Sequence, residues 1–116
     1  QIEMQTPDDS LMQRVMDVIN ENINDSDLSV DMIAQKVGIS RVHLHRKMKE
    51  LTNQTPHSFI RNIRLQQAAK LLKDGKQSIT DVMYACGFSN SASFSTMFKN
   101  LYGCSPREYM MNAMKE

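Results

Sequence analysis

One pattern occurs twice in this chain. Ser29, Ile33, Val37, Gly38 and Ser40 recur as Ser78, Val82, Cys86, Gly87 and Ser89 at an offset of 49, and Leu44, Met48, Lys49, Leu51 and Pro56 recur as Phe94, Phe98, Lys99, Leu101 and Pro106 at an offset of 50. In each copy apolar residues fall at helical spacing, a glycine supplies a helix stop that tolerates positive φ, and serine (Ser40; Ser89 to Ser91) can cap the next helix. Two copies of helix, tight turn, helix, with no alternating strand pattern anywhere, confine the chain to an all-α fold of about seven helices. With 116 residues, four glycines and 41% hydrophobic residues, it can bury one modest helical core or two small lobes.

The boundaries follow from punctuation. Residues 1–9 are polar, contain Pro7 and lack periodicity, so they read as a linker or the remnant of a cut from a longer polypeptide, ahead of one domain over 10–116. From Ser10, the residues Leu11, Val15, Val18, Ile19 and Ile23 trace a helical stripe, with Asp8, Asp9 and Ser10 available as caps. The first helix-turn-helix spans 28–52 and the second 78–103. Between them a long helix over 56–74 is opened by Thr55-Pro56 and closed near Gly75; it is expected to set the distance and phase between the copies. Asn53 stands where Gly103 stands in the second copy, both at a left-handed helix end. Ser105-Pro106-Arg107-Glu108 is a capping box for a closing helix over 106–115.

The two second helices differ in what they turn outward. Leu44, Met48 and Leu51 are expected to bury one stripe of the first, leaving Arg41, Val42, His45, Arg46 and Lys49 outside; from Arg41 to Lys49 there are four Lys/Arg and no acid. Phe94, Phe98 and Leu101 play the buried part in the second, leaving Asn90, Ser91, Ser93, Ser95, Thr96 and Lys99. Charge is split along the chain as well. Residues 1–27 hold one arginine against seven acids, a net −6, while residues 28–116 hold thirteen Lys/Arg against six acids, a net +7. The basic part is the candidate polyanion binder.

The runs Gly87-Phe88-Ser89, Phe94-Ser95-Thr96-Met97-Phe98-Lys99, Gly103-Cys104-Ser105-Pro106 and Tyr109 resemble the signature of the AraC/XylS family of bacterial transcription regulators, and the resemblance covers about Leu28 to Met111. It departs at Thr96, where the family usually has arginine. The resemblance implies sequence-specific binding of double-stranded DNA through two major-groove helices, and regulation of transcription without enzymatic activity. It assigns base reading to Val42, His45 and Arg46 and, in the second copy, to Asn90, Ser91, Ser93 and Thr96. Phosphate contact falls to Ser40, Arg41, Lys49, Ser89 and Lys99. The chemistry suits those roles, since arginine pairs bidentately with guanine, valine can contact a thymine methyl, and hydroxyls and lysines hold phosphates. Arg61, Arg64, Lys70 and Lys73 decorate the long helix, for solubility, capping or phosphate contact; an arginine at Arg64's position recurs in the family. RNA polymerase is the further partner that the resemblance implies. The segments from Val15 to Ile23, Ser40 to Leu44, Leu51 to Gln54 and Phe59 to Leu65 look like output domains of hybrid two-component regulators, whose sensing, kinase and receiver modules precede this domain.

Other classes find little support. His43 and His45, two apart on a helix, point about 200° away from each other and cannot share an ion, and no Cys/His/Asp cluster completes a metal site or a cofactor site. Cys86 and Cys104 sit in no Cys-x-x-Cys pattern and read as structural thiols; a zinc-dependent alkyl-transfer domain, fused to some family members, needs a cysteine cluster. No serine or cysteine stands in a nucleophile motif. No apolar run is long enough for a membrane span, and the expected compartment is the cytoplasm. The alternative to DNA binding is a helical module for RNA or an acidic protein. Readers of single-stranded RNA offer exposed aromatics for stacking, whereas all seven aromatics here fit core or turn positions.

Overall fold

The computed structural model describes residues 6–115, and the regular elements among them are helices. They are α1 (Pro7–Glu21), α2 (Val30–Val37), α3 (Arg41–Thr52), α4 (Pro56–Asp74), α5 (Ile79–Ala85), α6 (Ser91–Tyr102) and α7 (Pro106–Met114). Serine starts most of them. The hydroxyls of Ser29, Ser40, Ser78 and Ser105 each accept the backbone N–H three residues on, at 3.1 Å, which satisfies one donor that a helix N-terminus leaves without an internal partner. Both copies then close with one turn. Ile39 N–H reaches Ala34 O at 3.1 Å, and Phe88 N–H reaches Met83 O at 3.0 Å, across glycines at positive φ.

The N-terminal boundary lies earlier than sequence reading places it. Of the expected linker 1–9, residues 1–5 lie outside the described residues, while Thr6 caps α1 and Pro7, Asp8 and Asp9 form its first turn. Thr6 Oγ1 accepts from Asp9 N at 3.1 Å and the Asp9 carboxylate accepts from Thr6 N at 3.2 Å. Proline suits this place because its missing N–H would have had no partner there anyway.

The chain divides into two compact units, one of the residues up to Asn22 with Asp27–Phe59, the other of Ile23–Ser26 with the residues from Ile60 onward. In the first, α1 packs on α2 and α2 on α3, burying Val15, Val18 and Ile19, then Ile33, Ala34 and Val37, then Leu44 and Met48. The Arg14 guanidinium donates to the Val37 carbonyl at the C-terminal end of α2. In the second, Leu65, Ala68, Ala69 and Leu72 of α4 share one core with Val82, Met83, Cys86, Phe94 and Phe98. The long helix is thus, over most of its length, a wall of the second unit's core rather than a bare spacer. Phe98 is ringed by Phe94, Tyr102 and Tyr109, with centroids 5.9, 4.7 and 5.4 Å away.

Three burial expectations need correcting. Leu51 and Leu101 do not complete the buried stripes; they are 38% and 44% exposed. The stripes continue in steps of four, through Leu44, Met48 and half-buried Thr52 and through Phe94, Phe98 and half-buried Tyr102, because the chain turns away after that residue in each copy. Thr52 Oγ1 donates to Met48 O at 2.7 Å, which lets a polar residue hold the place. Tyr84 is no core or turn residue either. It stands 58% exposed on the outer side of α5, one position beyond the buried Val82 and Met83.

Candidate nucleic-acid interface

In the first unit the site is one face of α3. Arg41, Val42, His45 and Arg46 line a shallow concavity, and all four are exposed. Lys49 is exposed one turn further on, and Ser40 is exposed as the N-cap, its Oγ already accepting from His43 N. His43 turns to the half-buried side while His45 faces out. Leu44 and Met48, four residues apart and fully buried, hold the helix by its opposite side, so the face is carried on a rigid element.

The four Lys/Arg of α3 are not equivalent. Lys47 Nζ lies 3.1 Å from the Asp8 carboxylate and 3.6 Å from that of Glu50, and the Asp8 hydrogen bond and charge raise its pKa above 10.5. It ties α3 to the start of α1 and is occupied within the unit. Arg41 lies 3.5 Å from Asp31, both side chains well exposed, so a phosphate at that end must compete with a carboxylate in a solvent-screened pair. Sequence spacing could not show either pairing, since Asp8 and Asp31 sit on other helices.

In the second unit the corresponding face belongs to α6. Ala92, Ser93, Thr96 and Met97 line its concavity. Ala92 and Met97 are additions to the sequence-based set, and the signal for them is their place beside Ser93 and Thr96 on the helix surface. Ser89, Asn90, Ser91 and Lys99 are exposed around them. Asn90 is the cap of α6, its Oδ1 accepting from Ser93 N at 2.9 Å, so its carbonyl is committed and its amide N–H groups are what it can turn to a ligand. The structural counterpart of the Ser40 cap is therefore Asn90, and the extra residue of the second turn falls before it.

Two exposed faces, each on a twelve-residue helix that follows a tight glycine turn, are the signature of a helix-turn-helix reader. Comparison with known proteins gives the same class. A family model described as a helix-turn-helix domain matches residues 33–112, and the chain belongs to this family, the AraC type of DNA-binding transcription regulators. Over 78 residues it is 40% identical to the HTH-type transcriptional activator RhaS of Escherichia coli, covering 67% of this chain and 28% of that protein. Over 109 residues it is 32% identical to histidine kinase P4 of Formosa agariphila, covering 94% of this chain and 8% of that protein. The chain thus spans under a third of either relative. Among solved structures, the DNA-binding domain of the transcription factor AdpA, determined in complex with a target DNA, superposes with a TM-score of 0.79 at 25% identity, covering 88% of this chain and 90% of that one.

Proposed function

We propose that the domain lays α3 and α6 into major grooves of double-stranded DNA. Val42, His45 and Arg46 on the first helix, and Asn90, Ser91, Ser93 and Thr96 on the second, meet base edges; Ser40, Arg41, Lys49, Ser89 and Lys99 meet phosphates. The observation that carries this reading is Val42, 76% exposed in the middle of a cationic face. A valine held in water between guanidinium groups gains nothing for the isolated domain, whereas a thymine methyl would cover it. That the similar AdpA domain was determined in complex with a target DNA supports DNA as the ligand of this chain. Because the two faces carry different residues, the expected site is asymmetric, two unlike boxes rather than a palindrome.

The domain has no reaction of its own in this reading. It serves as the output end of a larger signalling regulator, with RNA polymerase as its partner at promoters and the cytoplasm as its compartment. The match to a small part of a histidine kinase supports a hybrid two-component parent with sensor, kinase and receiver modules. Among the described residues no helix is long and apolar enough to cross a membrane.

Selection of bound sequences from random duplex DNA, followed by titration of the selected site at several salt concentrations, tests the function. Affinity should fall steeply with salt, as phosphate contacts release condensed counterions. Affinity that is flat in salt, or equal for an acidic polypeptide, would hand the domain to protein recognition.

A further inference from the structure

Gly38 and Gly87 close the same turn in the two copies, but only Gly87 is walled in. A Cβ on Gly87 would lie 2.6 Å from the carbonyl oxygen of Ile23 and 2.9 Å from both Cζ and Nε of Arg64, whereas one on Gly38 would meet nothing within 4 Å. The Arg64 guanidinium thus fills the space that a side chain at position 87 would need. One Nη donates to the Asp25 carbonyl at 2.5 Å, and the buried Nε has no hydrogen-bond partner. Cys86, fully buried beside the turn, has its thiol pushed up to about 11 by burial, the guanidinium charge opposing that rise. Every one of these residues belongs to the second unit. A buried N–H without a partner costs free energy, so solvation alone would send this side chain outward. What the inward position achieves is contact of one planar group with the segment 23–26 and with the turn between α5 and α6.

We propose that Arg64 is a positioning residue for the second recognition helix: its guanidinium clamps the α1–α2 connector onto the Gly87 turn and so fixes the direction in which α6 presents Ser93 and Thr96. Only Phe88 and Ser89 separate that turn from the Asn90 cap, so little chain is available to absorb a shift. α6 offers short hydroxyls rather than long cations, and a short side chain cannot compensate for a displaced helix. This inference rests on the reading of α6 as a base-contacting helix.

Arg64→Lys keeps the charge and most of the length but loses the planar fork. The variant should remain folded by circular dichroism. Its discrimination between the selected site and the same site with the α6 box scrambled should fall roughly fivefold, toward one. Affinity for the scrambled site and its salt slope should not change, because no phosphate contact is lost. An arginine that only stabilises would lower the melting temperature and leave discrimination intact, and that result overturns the proposal. Ser93→Ala/Thr96→Ala separates the two layers of argument. If this double variant discriminates as the parent does, α6 reads no bases and the positioning role falls with it; if it loses discrimination while Arg64→Lys keeps it, the positioning role alone falls. Should Arg64→Lys not fold, nitrogen-15 spectra of the unmutated domain decide. The clamp requires a slowly exchanging Arg64 Nε–H signal that shifts with the selected site and not with the scrambled one. A signal that exchanges as fast as that of exposed Arg46, or that the selected site leaves unmoved, overturns it.

Discussion

α3 and α6 are built on one plan and finished differently. Each runs for twelve residues from a side-chain cap to a left-handed end, and each is buried through a pair of residues four apart, Leu44 with Met48 and Phe94 with Phe98. Outward, α3 carries Arg41, Arg46 and Lys49, the imidazole of His45 and the exposed Val42, while α6 carries hydroxyls and the single cation Lys99. Inward, α3 buries Leu44 and Met48, while α6 buries Phe94 and Phe98, which add a cluster of rings to an otherwise largely aliphatic core. The comparison teaches that scaffold and reading surface vary independently in a helix-turn-helix, because they occupy opposite sides of the same helix. It also implies a division of labour. Charge acts at a distance and tolerates imprecision, whereas small hydrogen-bonding groups act only in contact and depend on how well their helix is held.

The largest expected effect tests the inward half of that contrast. Phe98→Ala removes a ring that touches three others and should cost about 3–5 kcal/mol in urea unfolding, more than Met48→Ala at the matching place in the first unit. A Met48→Ala loss as large as that of Phe98→Ala would abolish the distinction between the two cores.

On the outward side, Arg46→Ala should weaken binding to the selected site by about 1–3 kcal/mol and relax preference at one or two positions. Thr96→Ala should cost less than about 1 kcal/mol on the same site. Lys49→Ala should weaken all sequences alike and lower the salt slope by about one. Equal losses at Thr96 and Arg46 would reverse the ranking of the two helices.

The helix ends give a smaller effect. Asn53 and Gly103 hold the same left-handed corner, at φ 58° and 80°, and the space around Gly103 is open. Gly103→Ala should therefore cost about 1–2 kcal/mol through backbone strain alone, while Asn53→Gly should be close to neutral, both read from thermal melts. A neutral Gly103→Ala would mean that the second corner can adopt another conformation.

The smallest effect separates the Pro-led starts of α4 and α7 by pH. Glu108 caps Ser105, and the Ser105 hydroxyl and N–H hold its carboxyl below the ordinary 4.5. Its contribution to stability is complete above 4.5 and is lost as pH falls through the lowered folded-state value. At the start of α4 the equivalent place is held by Ser58, whose N–H donates to Thr55 Oγ1 at 3.2 Å and which does not titrate in this range. Glu108→Gln should accordingly remove a shallow acid-side slope from the melting temperature, and Ser58→Ala should not. An unchanged slope in Glu108→Gln would assign the acid sensitivity to other carboxylates.

Much of the fold was legible because helix punctuation is local. Ser29, Ser40, Ser78 and Ser105 act within three residues, Gly38, Gly87 and Asn53 act on their own φ, and the offset repeat of these signals places both helix-turn-helix elements. The failures share a cause of the other kind. Leu51 and Leu101 were assigned to the core by spacing, but burial in a last turn depends on where the chain goes next. Arg64 looked like any surface arginine until segment 23–26 was folded over it. Lys47 counts among the four Lys/Arg from Arg41 to Lys49, although Asp8 occupies it from another helix.

For the candidate interface the same division holds. Which residues could face outward from α3 and α6 followed from helical periodicity, since 100° per residue separates the faces before any packing is known. Which of them keep their charges available, and what holds each face steady, was decided only by tertiary structure. The ion pairs of Lys47 and Arg41 and the clamp of Arg64 on Gly87 join residues 39, 10 and 23 positions apart for Asp8–Lys47, Asp31–Arg41 and Arg64–Gly87. Periodicity speaks for one element at a time, and contacts between elements exist only after the chain has closed on itself.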